Sequence, residues 1–92
     1  MKSPRELAIS ILVKTHAGSF SNLLLSRYLT DSISQKDRAL ITQLVNGVIQ
    51  NKLLLDYIIS QFSKIKLSKM TSFVKNAIRL GIYQAYFLDK VP

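Results

Sequence analysis

Apolar residues recur along this chain at spacings of three and four, the period that lines up side chains on one face of an α-helix. The clearest run is Leu40, Ile41, Leu44, Val45, Val48 and Ile49. It follows Ser34, a capping residue, and Asp37, an acid in the first turn where the helix dipole favours it. The phase shifts at Asn51-Lys52, after which Leu55, Ile58, Ile59 and Phe62 form a second stripe, so a kink or a new helix is expected there. Upstream, Ser3-Pro4-Arg5-Glu6 reads as a helix start: Ser3 caps, Pro4 suits the first helical position, and Glu6 completes a capping box. Leu7, Ala8, Ile11 and Leu12 continue it, and Gly18 is the expected stop. A loop over Gly18-Ser19-Phe20-Ser21, with Phe20 plugging the corner, leads to a short helix carrying Leu23, Leu24, Tyr28 and Leu29.

Ser63 to Lys66 forms a basic connector, and Ser68 or a neighbour opens a last helix over Lys69 to Leu88. Met70, Phe73, Val74, Ala77, Ile78, Gly81, Ala85 and Leu88 lie within one arc of that helix and are expected to face the core. Gly47 and Gly81 sit inside helices, each at about 1 kcal/mol relative to Ala, and close helix crossings are the expected reason. Strand-like alternation is absent. The expectation is an all-α bundle forming one domain over residues 1–92. Ile82, Tyr83, Tyr86 and Phe87 spread apolar surface around the final helix, and Val91-Pro92 follow at once. Such a helix is expected to be covered by further helices or by a partner, and the isolated chain to self-associate there.

Composition narrows the function classes. The chain carries 13 Lys and Arg against 5 Asp and Glu, a net charge of +8, which calls for a polyanion, an anionic surface or acidic partners. With no cysteine, disulfides, thiolate metal sites and cysteine nucleophiles are excluded. The charged start Met1-Lys2-Ser3-Pro4-Arg5-Glu6 has no signal-peptide core, and no apolar run approaches the ~20 residues of a membrane span. A soluble cytoplasmic protein is expected. His16 stands alone, and Glu6, Asp31, Asp37, Asp56 and Asp89 are scattered; none of these supplies an acid/base pair or a metal site, and no Walker, GxGxxG or GxSxG pattern occurs. No catalytic residue is assigned, and the chain by itself is not expected to be an enzyme.

The cations are more informative. Lys64, Lys66, Lys69, Lys75 and Arg79 follow one another with no acid between Asp56 and Asp89. Helical spacing puts Lys75, Arg79, Tyr83 and Tyr86 on one face, opposite Met70, Val74, Ala77 and Gly81. Cations beside aromatics suit phosphate contacts with base stacking by Tyr83 and Tyr86. The plainer alternative has the cations solvated and the tyrosines packed under further helices. A second basic spot is Lys2 and Arg5 at the first helix start, where backbone N–H groups and the dipole also favour a phosphate.

Taken in order, Arg5-Glu6-Leu7-Ala8, Gly18-Ser19-Phe20-Ser21-Asn22, Asp37-Arg38-Ala39, Leu44-Val45-Asn46-Gly47-Val48, Leu55-Asp56, Leu80-Gly81-Ile82-Tyr83-Gln84 and Asp89-Lys90-Val91-Pro92 resemble the NusB-like domain. The likeness is greatest to the version at the amino end of RsmB (Sun) type ribosomal RNA cytosine-C5 methyltransferases, and it covers nearly the whole chain. The resemblance implies an antiparallel helical bundle that binds RNA, here cut after its fifth helix. It further implies a following methyltransferase domain that uses S-adenosylmethionine and catalytic cysteines, so the RNA partner is expected to be ribosomal. A free-standing NusB-type transcription antitermination factor is the sibling reading, and a protein-interaction domain is the alternative from another class.

Overall fold

The computed structural model describes residues 3–15 and 21–88. The readings placed on Lys2, His16, Gly18, Phe20 and the segment from Asp89 to Pro92 lie outside the described residues. The elements in chain order are α1 (Pro4–Lys14), α2 (Ser21–Tyr28), α3 (Gln35–Gln50), α4 (Lys52–Phe62), a 3-10 turn (Leu67–Lys69), α5 (Ser72–Tyr83) and a π turn (Gln84–Leu88). Among the described residues there is no strand.

The local signals at α1 and α3 work as the sequence indicates. The Ser3 hydroxyl accepts the Glu6 backbone N–H at 3.2 Å, and the Ser3 N–H donates to the Glu6 carboxylate at 3.0 Å. Ser34 accepts the Asp37 N–H at 3.1 Å. Each arrangement satisfies donors that a helix start leaves unpaired. The phase shift at Asn51-Lys52 is a break between two helices. Asn51 closes α3 and opens α4, and both its N–H (3.1 Å) and its amide Nδ2 (2.8 Å) donate to the Gly47 carbonyl.

The core gathers Ala8, Ile11 and Leu12 of α1, Leu25 of α2, Ile41, Leu44, Val45 and Val48 of α3, Leu55 of α4, and Leu80 and Tyr83 of α5. Helix α1 packs on both α3 and α5, and α4 packs on α5. Each fully buried Leu, Ile or Val contributes about 1.5–3 kcal/mol relative to an exposed position, and α3, with Ile41, Leu44, Val45 and Val48, supplies more of this core than any other described helix.

Helix α5 departs from the sequence reading in three ways. It starts at Ser72, capped by the Thr71 hydroxyl accepting the Val74 N–H at 3.2 Å, because the segment from Leu67 to Lys69 winds as a 3-10 turn. It stops being α-helical after Tyr83, where the π turn begins. Its buried face is Asn76, Arg79, Leu80 and Tyr83, while Phe73, Val74 and Gly81 of the arc expected inside are exposed. Both arcs carry apolar residues, and periodicity alone does not choose between them. Two distant partners decide. Asp56 on α4 neutralises Arg79, and Gly47 on α3 leaves room for the Tyr83 ring.

A Cβ added to Gly47 would fall far inside van der Waals contact of the Tyr83 ring, so this glycine serves a close crossing as expected. Around Gly81 there is nothing within 4 Å of an added Cβ, so the same explanation fails there. Phe62 also departs from its stripe. Leu55 and Ile59 are buried, whereas Phe62 is 76% exposed.

Candidate nucleic-acid interface

Helices α4 and α5 hold the polar centre from which the cationic surface is organised. Arg79 donates from Nε to Asp56 Oδ1 at 2.6 Å and from Nη2 to Oδ2 at 2.9 Å, a two-pronged ion pair. Its Nη1 donates to Asn76 Oδ1 at 3.3 Å, and Asn76 Nδ2 in turn donates to the Ser72 carbonyl at 2.9 Å. Arg79 is 7% exposed. The expectation that it offers a guanidinium to phosphate beside Lys75 is therefore corrected: its donors are directed inward, to Asp56 and Asn76. Burial of a guanidinium requires such partners, since an unpaired charge there would be strongly penalised.

The pair also changes the surface. Asp56 is the acid that precedes the long cationic run, and with its carboxylate held by Arg79 it does not offset the lysines that follow. Lys64, Lys66 and Lys69 are exposed, and Lys75 is half-buried. They stand on or just after a connector fixed by its own hydrogen bonds. The Ser63 hydroxyl donates to the Ile65 carbonyl at 2.8 Å and accepts the Ile65 N–H at 3.1 Å. The Lys69 N–H donates to the Lys66 carbonyl at 2.9 Å, and the Met70 N–H to the Leu67 carbonyl at 3.0 Å. A loop held this way presents its cations with less ordering entropy left to lose on binding.

The amino-terminal spot lies elsewhere. Arg5 is exposed, and its Nε donates to Gln84 Oε1 at 3.0 Å, which ties the start of α1 to the far end of α5. The connector enters the opposite end of α5, so the full 12-residue helix, about 18 Å at 1.5 Å per residue, separates the two regions. Arg5 and the connector lysines are thus two patches. At the α1 start the Glu6 N–H is already taken by Ser3, and the Glu6 carboxylate sits in the same turn.

The aromatic expectations divide. Tyr83 is buried, with its ring against Gly47 and stacked on Phe87 at a centroid distance of 5.2 Å. It is not available to a base. Tyr86 is exposed. Ile82 and Phe87 are half-buried, so the four residues expected to form a self-association surface do not lie open together. Sequence reasoning missed two residues. Asp56 could have been noticed as an isolated acid next to the buried stripe of α4, in a stretch otherwise rich in cations. Phe62 gave no signal of exposure, because it continues that stripe. Among the described residues, no group of His, Cys, Asp and Glu could hold a metal ion, and no helix is long and apolar enough to cross a membrane.

With this geometry in place, comparison with known proteins supplies the lineage. The NusB family matches residues 2–92. The chain belongs to the NusB family. Curated relatives include the probable ribosomal RNA small subunit methyltransferase B of Bacillus subtilis, 37% identical over 92 residues that make up 98% of this chain and 20% of that protein. The protein of the same name from Synechocystis is 33% identical over 94 residues, covering 100% of this chain and 21% of the relative. The transcription antitermination protein NusB of Desulforudis audaxviator is 36% identical over 61 residues, 65% of this chain and 44% of that protein. This NusB-family chain thus spans about a fifth of the length of the methyltransferase relatives. No solved structure gives a match.

Proposed function

We propose that this NusB-family chain is the RNA-binding module of a ribosomal RNA methyltransferase, forming one domain over residues 1–92 at the amino end of a longer cytoplasmic protein. Its part is to hold RNA, and the transfer of a methyl group from S-adenosylmethionine to a cytosine C5 is assigned to the rest of that protein. The observation that carries the reading is the connector between α4 and α5. Lys64, Lys66 and Lys69 are exposed on a hydrogen-bonded loop, and the preceding acid, Asp56, is bound by Arg79. That is a local excess of positive charge in a fixed geometry, suited to a phosphate backbone. Lys75 flanks this surface, and Arg5, which Lys2 precedes in the sequence, lies on a separate patch that a longer RNA reaches beyond the length of α5. The likeness to the Bacillus subtilis and Synechocystis methyltransferases supports the choice of ribosomal RNA. The likeness to the Desulforudis antitermination protein supports the second reading, a free-standing NusB-type factor.

The test is salt dependence. Each phosphate neutralised on single-stranded RNA adds about −0.7 to the slope of log affinity against log salt. Replacing Lys64, Lys66 and Lys69 with Gln should weaken binding and flatten that slope by roughly 2, from three such contacts. The same three-charge removal at Lys14, Lys36 and Lys52, which lie on other elements, should do much less. Equal losses from both triples would mean that binding follows net charge alone, and the connector would not be the RNA surface.

A further inference from the structure

Phe62 is the last residue of α4 and continues a stripe whose earlier members, Leu55 and Ile59, are buried, yet it is 76% exposed. The chain turns at Ser63, whose backbone is extended (φ −91°, ψ 134°). Beyond it come Lys64 and Lys66, with Ile65 also exposed. The two hydrogen bonds between the Ser63 hydroxyl and Ile65 fix the turn, so ring and cations are held in one short, ordered segment. From Asp56 to Asp89 the sequence has no acid between them, and Asp56 is occupied by Arg79.

We infer that Phe62 is a base-stacking platform, and that the partner it fits is single-stranded RNA whose phosphates lie on Lys64 and Lys66. This rests on the RNA-binding reading above and adds to it a strand preference and an aromatic that the sequence places in the core. Charge complementarity selects the partner. A flat apolar ring flanked by uncompensated cations matches a polymer in which flat bases alternate with anions, and every base has a face to stack. A duplex keeps its bases stacked on one another, so the ring has nothing to offer it. Tyr83, which the helical spacing marks for this role, is buried against Gly47.

The whole chain is titrated, by fluorescence anisotropy, with a short labelled single-stranded oligoribonucleotide and with the same strand annealed to its complement. Phe62→Leu keeps an apolar side chain at the position and removes the aromatic face. Its affinity for the single strand should fall about fivefold or more, the lower end of base–aromatic stacking. Its salt slope and its affinity for the duplex should stay at the wild-type values. The chain has no tryptophan, so Phe62→Trp introduces a single indole. That variant should bind the single strand at least as well as wild type, with its emission quenched on saturation. If Phe62→Leu binds the single strand like wild type, or the indole emission does not respond to saturating RNA, stacking is refuted while the lysine surface stands. If the wild-type chain binds neither RNA, both readings fall together.

Discussion

Gly47 and Gly81 allow one substitution to be made with opposite consequences. Replacing a helix-interior glycine with alanine gains about 1 kcal/mol from the backbone alone. At Gly81, where nothing lies within 4 Å of the added methyl, that gain should appear in full. A rise in stability of about 0.5–1 kcal/mol is expected from Gly81→Ala. At Gly47 the methyl meets the Tyr83 ring, which is buried and stacked on Phe87 and so has little freedom to swing away. Overpacking of this kind costs about 1–3 kcal/mol, and the depth of the overlap puts it in the upper part of that range. After the backbone gain is subtracted, Gly47→Ala should destabilise by about 1–2 kcal/mol, or roughly 4–16 °C in melting temperature for a domain of this size. In a Tyr83→Leu background the shorter side chain does not reach α3, and Gly47→Ala should become stabilising. Urea unfolding followed by far-UV circular dichroism on the four proteins of this cycle gives the coupling, expected at about 2–3 kcal/mol. A Gly47→Ala protein as stable as Gly81→Ala, or additive effects with Tyr83→Leu, would refute the close-crossing account.

Arg79→Met strands the Asp56 carboxylate. Breaking a buried pair costs about 3–5 kcal/mol, and because the Asp56 side chain keeps 23% exposure a loss of about 2–3 kcal/mol is expected on chemical unfolding. Adding Asp56→Leu to it should recover much of that loss, and no recovery would contradict the ion-pair explanation. Ser3→Ala removes the hydroxyl of the α1 capping box and should lower stability by about 1 kcal/mol. Ser34→Ala should do the same at α3, and an unchanged midpoint for either variant would show that water replaces the cap. On RNA, the double variant Arg79→Met with Asp56→Leu should leave the salt slope unaltered, because the guanidinium it removes faces Asp56, whereas a flatter slope would return Arg79 to the binding surface.

Where information was local, the sequence was readable. Capping at Ser3 and Ser34 depends on residues three apart, and the α3 stripe repeats without interruption, so both elements stand where the pattern puts them. The break at Asn51 showed as a change of phase. Orientation of α5 was not readable, because apolar residues occupy both of its arcs and the tie is broken by Asp56, 23 residues away from Arg79, and by Gly47 on α3. For the same reason the candidate site was only half legible. Lys64, Lys66 and Lys69 follow from the spacing of charges along a connector. Arg79 looked like one more surface cation, and Phe62 looked like one more core residue, since burial is decided by what lies across the fold.

The hydrogen bond from Arg5 to Gln84 joins residues 79 apart in sequence, and this has a consequence for the order of assembly in time. Closing so long a segment costs about 4 kcal/mol of chain entropy by the logarithmic estimate, so α1 and α5 are expected to meet late. On a ribosome adding about 5–20 residues per second, roughly 4–16 s pass between the synthesis of α1 and the completion of α5. During that interval Ala8, Ile11 and Leu12 can settle against α3, but the side of α1 that α5 will cover stays wet. The nascent chain therefore spends seconds as a partly assembled helix cluster with an open apolar flank, the state in which a chaperone would meet it. Destabilising the α1–α3 contact should lengthen that exposure, whereas weakening the Arg5–Gln84 tie should mainly speed the loss of the finished fold.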